Sequence, residues 1–78
     1  MKQKSPPYEK QNKLLLALIA KYLTLYSLDR PTLAIKIHVG RGTMYNRLNK
    51  LDDLKLIELR RMVGVLGLTD EEILQVIR

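Results

Sequence analysis

The 78-residue chain has no cysteine, no phenylalanine, no tryptophan and a single histidine. Without cysteine there are no disulfides and no thiolate metal sites, a composition compatible with a reducing compartment. The lone His38 has no second His, Cys or carboxylate at ligand spacing, so it reads as a turn residue and no metal is expected. Without Phe or Trp the core has to be aliphatic, chiefly Leu and Ile. Helices supply such a core most readily, because Leu, Lys, Arg and Glu all have good helix propensity. The four glycines and three prolines are few and stand between apolar stretches. Long apolar runs are also missing: residues 14–28 are interrupted by Lys21 and are too short to span a bilayer. No small-residue cleavage site follows the N-terminal MKQKSPPYEK. The expectation is a soluble protein of the cytoplasm. Acidic residues are scarce in the front half, where residues 1–50 carry ten Lys/Arg against Glu9 and Asp29, a balance of +8. Residues 51–78 carry four Lys/Arg against six acids, a balance of −2. That asymmetry turns a basic face toward a polyanion, unless it is only the solvated surface of a small protein.

What is present is organised around LAIKIHVGRGTMYNRL, residues 33–48. Leu33, Ala34 and Ile37 share one helical face, a turn signal follows at His38-Val39-Gly40, and Met44 and Leu48 restart helical spacing. Ala34 is small where two helices must cross, and Val39 plugs the corner between them. The second helix shows Arg41, Thr43, Tyr45, Asn46 and Lys50, all able to donate hydrogen bonds. A buried face backed by a donor-rich face is what a helix lying in a DNA major groove needs.

Around this centre the spacing predicts an all-α domain of five helices. Residues 1–5 are expected to be a flexible basic leader, and residues 6–78 a single domain. Ser5, followed by Pro6 and Pro7, is the expected cap of a first helix over residues 8–26. Its apolar stripe is read as Leu15, Leu18, Tyr22 and Leu25, widened by Leu14 and Ala17, with Lys10, Lys13 and Lys21 opposite. Tyr22 and Tyr26 are read as core-edge residues. Asp29 caps a second helix over 30–37, whose first turn, with Arg30 and Thr32, offers N–H groups to a phosphate. A third helix covers 41–49, and residues 49–53 form a polar turn. Leu56, Leu59, Met62 and Val63 mark a fourth helix that ends at Leu66 with Gly67 beyond it. Thr69 and Glu72 make a capping box for a fifth helix carrying Ile73, Leu74 and Ile77.

Nothing points to catalysis. Asp52-Asp53 and Asp70-Glu71-Glu72 are explained by loop solubility and helix capping, and no nucleophile–base pair accompanies them. Residues 63–67 hold two glycines and no phosphate loop. No enzyme, cofactor or small-molecule ligand is expected.

Residues 33–48, followed by NKLDDLKLIELRRMVGVLGLTDEEILQVI at 49–77, resemble the Cro/C1-type (phage-repressor-like, XRE) helix-turn-helix family. Thr43-Met44 matches the threonine–hydrophobic start of its recognition helix, Asn49 to Asp53 its polar loop, and Ile57-Glu58-Leu59 its fourth-helix pattern. Leu66 to Glu72 match its closing helix start. The likeness covers about residues 14–77. There are departures: His38 stands where that family usually has a turn glycine, Gly40 where Ser or Thr caps the recognition helix, and Arg47 where a large apolar residue is common.

The resemblance implies a five-helix lambda-repressor-like DNA-binding domain and a transcriptional regulator, read as a repressor on the nucleoid. It places Arg41, Gly42, Tyr45 and Asn46 at base edges, with Arg41 suited to guanine O6 and N7. Arg30, Thr32, Thr43, Arg47, Lys50 and Lys55 are then expected to contact phosphates, which hold register without reading sequence. The partners implied are double-stranded DNA and a second copy of the chain, met through Ile73, Leu74 and Ile77. Two alternatives stay open. One is a winged helix with a hairpin over residues 59–68; the other is a small helical interaction module such as an antitoxin or anti-repressor.

Overall fold

Leu15, Leu18, Ile19, Tyr22 and Leu23 recur at i, i+3, i+4, i+7 and i+8, the spacing of an apolar stripe on one side of a helix. They are the buried face of α1 (Glu9–Leu25) in a computed structural model that describes residues 8–78. The leader expected at 1–5 and the cap expected from Ser5 lie outside the described residues. After α1 come α2 (Arg30–Lys36), α3 (Arg41–Asn49), a 3-10 turn (Leu51–Asp53), α4 (Leu56–Leu66) and α5 (Asp70–Ile77). No strand occurs among the described residues, so the all-α class holds. The hairpin considered for residues 59–68 does not form, because Leu59 and Met62 belong to the apolar phase of a continuous α4.

Two stripes sit differently from the expected ones. Leu25 is 64% exposed, and Ala17 also faces solvent, while Ile19 and Leu23 take the core positions. The face is set by the i, i+4, i+8 row rather than by the last turn of the helix. In α4 the buried row is Glu58, Met62 and Leu66, and Leu56 is left 58% exposed.

The corners after α1, α2 and α4 use one device. After α1, the Ser27 N–H reaches Thr24 O and the Leu28 N–H reaches Leu23 O, with Ser27 at φ 55°. After α2, the His38 N–H reaches Ile35 O and the Val39 N–H reaches Ala34 O, with His38 at φ 63°. After α4, the Gly67 and Leu68 N–H groups both reach Val63 O, with Gly67 at φ 75°. A left-handed residue thus reverses the chain and satisfies the last carbonyls, and the next residue is an apolar plug. Leu28, Val39 and Leu68 all pack on the core. His38 takes the left-handed position where the resembling family has glycine, as its place in the turn implied.

The centre of the core is Leu33, Ile37, Met62 and Leu66, the largest side chains that are fully buried. It therefore lies where α2 meets α4. Helix α3 packs on α2, while α1 packs on α4 and α5. Ala34 is 1% exposed and Val39 half-buried, which fits the close crossing and corner plug expected of them.

Helix α5 buries no residue completely. One carboxylate docks it. Glu72 Oε1 accepts from the Thr69 N–H at 2.9 Å and from the Tyr22 hydroxyl at 2.7 Å, and Oε2 lies 3.6 Å from Lys21 Nζ. The Thr69 Oγ1 accepts from the Glu72 N–H at 3.1 Å, completing the expected capping box. The box therefore does more than cap α5; it ties that helix to α1. Tyr22 is buried, as its place in the stripe requires, and Tyr26 stacks on it with 6.0 Å between ring centres.

The Thr69 N–H, then the Tyr22 hydroxyl and Lys21, hold the Glu72 carboxyl below its ordinary value of 4.5. A depressed folded-state pKa gives stability that is present above the unfolded value and lost as pH falls through the folded one. The melting temperature should therefore drop as pH is lowered from 6 toward 3. Glu72→Gln should lower it at pH 7 and flatten that dependence, with amide exchange rising first in α5. An unchanged acid limb in the variant would remove Glu72 from this role.

Candidate nucleic-acid interface

The α2–α3 pair starts from a cap. Asp29 Oδ1 accepts from the Thr32 N–H at 2.8 Å, as its position before Arg30-Pro31-Thr32 predicts. The Thr32 side chain, then this N–H bond and more weakly Arg41 nearby, hold the Asp29 carboxyl below its usual value. The carboxylate changes the reading of this helix start. Thr32 was expected to help bind a phosphate, but its N–H is occupied and Pro31 has none to give. The anion at this N-terminus is the protein's own, the Asp29 carboxylate that accepts from Thr32.

Helix α3 begins at Gly40, which has an extended backbone and no capping side chain. The helix itself runs Arg41–Asn49, the span its sequence predicts. Met44 and Leu48 enter the core. Arg41, Gly42, Tyr45 and Asn46 all face solvent, as do Asn49 and Lys50. A Cβ placed on Gly42 would meet no heavy atom within 4 Å, so the helix surface is open there. Thr43 lies at the edge of this face, half-buried.

The predicted site residues fall into three groups. Arg30, Arg41 and Tyr45 come together at the N-terminal end of α3, around a cleft also walled by Pro31 and Met44. Lys50 lies at the other end, in a second cleft with Asn49, Lys13 and the acids Glu9 and Asp52. Lys13, read from the sequence as solvated on the far side of α1, is thus brought beside the end of α3. Lys55 is exposed at the start of α4, apart from both clefts.

Arg47 does not join them as expected. Its Nε donates to Glu58 Oε1 at 2.9 Å, with only 21% of the arginine side chain exposed. The same oxygen accepts from the Lys55 N–H at 2.9 Å. Burial alone would raise the Glu58 pKa, but these two donors outweigh it and keep the carboxyl below its usual value. Arg47 is therefore a link between α3 and α4. A signal for this was present: Glu58 stands four residues before Met62, in the apolar phase of α4, and a carboxylate there requires a donor. Fourteen cations in the chain left the partner unnamed.

Helix α4 also grips α2, since Arg61 Nη1 donates to the Ile37 carbonyl at 3.1 Å. The exposed face of α3 is thus carried on a helix fixed from behind. His38 is exposed, and among the described residues no group of three or more His, Cys, Asp or Glu is placed to hold a metal ion. No helix among them is long and apolar enough to cross a membrane.

Glu58→Gln should destabilise the fold by about 1–3 kcal/mol, the range for losing a hydrogen bond to a charged group. Arg47→Met made in that background should restore part of the loss, because the unpaired cation is then removed. Additive losses in urea unfolding of the two single variants and the double variant would show that the pair is not coupled.

Compared with known protein families, curated proteins and solved structures, the chain matches none.

Proposed function

We propose that this protein is a sequence-specific regulator of transcription, a repressor, that binds double-stranded DNA as a homodimer on the nucleoid. In this reading α2 and α3 are a helix-turn-helix within a lambda-repressor-like domain, and α3 lies in the major groove. The observation that carries it is the division of α3 into two faces. Met44 and Leu48 anchor one, while Arg41, Gly42, Tyr45 and Asn46 stand in solvent on the other. With its side chains an α-helix is about 10–12 Å across, matched to a groove about 12 Å wide. Arg41 is the base-reading residue, through guanine O6 and N7. Arg30, Lys50, Lys55 and Thr43 serve the phosphates, and Lys13 joins them from α1.

A single such unit makes few base contacts, so specific binding calls for two copies on a two-fold site. Helix α5 supplies the second contact in this proposal. Leu74 is 52% and Ile77 55% exposed, and Ile77 shares an apolar groove with Ile73, Leu56, Leu59 and Val63.

Selection of bound duplexes from a random pool tests the first part. It should yield a palindromic consensus, with one guanine preference per half-site relaxed and affinity lowered about 30-fold or more in Arg41→Ala, each of the two bidentate contacts being worth about 1–3 kcal/mol. Affinity should also fall steeply with salt. With no consensus and no binding at physiological salt, the basic face is only an electrostatic surface, and a protein-interaction module becomes the better reading.

Sedimentation tests the second part. The native chain should be dimeric at high concentration and Leu74→Asp monomeric, with weaker binding to the full palindrome. A native chain that stays monomeric would remove α5 as the dimer contact.

A further inference from the structure

The exposed face of α3 is polar except at one place. Between the first turns of α2 and α3 is a cleft of about 160 Å³ whose walls are almost wholly apolar, although arginines stand on both sides of it. It is lined by Arg30, Pro31, Arg41, Met44 and Tyr45. Pro31 has no N–H to offer, and Met44 is 2% exposed and fixed in the core. Tyr45 is 65% exposed and forms an outer wall, beside the exposed Arg30 and Arg41. A water molecule in such a cleft finds few partners, because the walls are apolar and the arginines stand at the rim. The volume is also well below the roughly 300–1,000 Å³ of small-molecule sites.

We infer that this cleft receives the C5-methyl group of a thymine, next to the guanine read by Arg41. The inference rests on the DNA-binding reading above and names part of its sequence preference. The thymine methyl is the one apolar group that base pairs present in the major groove, where guanine presents only acceptors. The cleft and Arg41 adjoin, so an apolar receptor and a bidentate donor sit within one helical turn of each other. Charge fits the same occupant. Arg30 and Arg41 form a cationic rim suited to the flanking phosphate and guanine. Asp29, beside Arg41 and bonded to the Thr32 N–H, makes the cleft a poor place for a phosphate itself. An uncharged methyl meets no such objection.

Single-atom changes in the duplex test this on the full chain. Each thymine of the selected consensus is replaced by deoxyuridine, which removes only the methyl, and binding is followed by fluorescence anisotropy. At one thymine per half-site, next to the guanine whose preference relaxes in Arg41→Ala, the replacement should weaken binding about fourfold, the worth of one buried methyl-sized group. In Tyr45→Ala that thymine-to-uracil ratio should fall to about one, whatever happens to overall affinity. Its thermal unfolding should stay native-like, since Tyr45 is exposed. Pro31→Ala should reduce the ratio in the same direction.

If a specifically bound duplex tolerates uracil at every thymine, the methyl receptor is overturned and the DNA-binding reading stands. A gain from 5-methylcytosine without any loss from uracil likewise overturns the thymine assignment. If no duplex is selected at all, the DNA-binding reading fails, and the receptor fails with it.

Discussion

A carboxylate taken out of water has to be met by donors, and Glu58 is the place in this fold where that requirement shapes the rest. Its Oε1 collects the Lys55 N–H, which fixes where α4 starts, and Arg47 Nε, which fixes α3 against α4. Any other placement of α3 leaves one of these charges partly buried without its partner, at a cost that the small aliphatic core cannot easily offset. Arg61, three residues further along the same helix, holds the end of α2 through the Ile37 carbonyl. Helix α4 therefore grips both members of the α2–α3 pair by polar contacts, while Met62 and Leu66 grip them by burial.

The periphery is held more lightly, and by a different arrangement. Helix α5 has no fully buried side chain; Ile73 and Val76 pack part-buried on the core, and Glu72 adds a cap and a tether. That leaves Leu74 and Ile77 in solvent, beside Leu56. An apolar edge next to a charged latch is consistent with a surface completed by a second molecule, as the proposed dimer requires. The same economy shows in the three corners, where a left-handed residue and an apolar plug replace longer loops. Two of the three left-handed positions are occupied by Ser27 and His38 rather than glycine, each strained by its Cβ and held by the bonds around it.

For the proposed contact with DNA, the distribution of charge matters more than its total. Arg30 and Arg41 gather at one end of α3, and Lys50 and Lys13 at the other, leaving Tyr45 and Asn46 between. Asp29 sets a local limit, because it keeps a negative charge at the start of α2 where an open helix end would otherwise invite phosphate. The basic front half of the sequence is therefore not one uniform patch. It is an arginine end with an apolar cleft, then uncharged donors, then an end where Lys13 and Lys50 stand among Glu9 and Asp52.

Much of this follows from the sequence alone. Periodicity located the five helices, because a 3.6-residue repeat of Leu, Ile and Met is a local property that needs no partner to be read. The Asp29 and Thr69 caps were legible for the same reason, since the capping oxygen and the N–H that donates to it lie within three residues. What the tertiary structure alone decided is which side chains meet across the chain. Arg47 looked like any surface cation until Glu58, eleven residues on, was placed beside it; Tyr22 and Glu72 are fifty residues apart. Leu25 and Leu56 show the same limit in reverse, apolar in sequence and exposed in the fold. Local pattern specifies a helix and its two faces, but the partner that a face or a charge will meet depends on how the helices pack, and packing is a property of the whole chain.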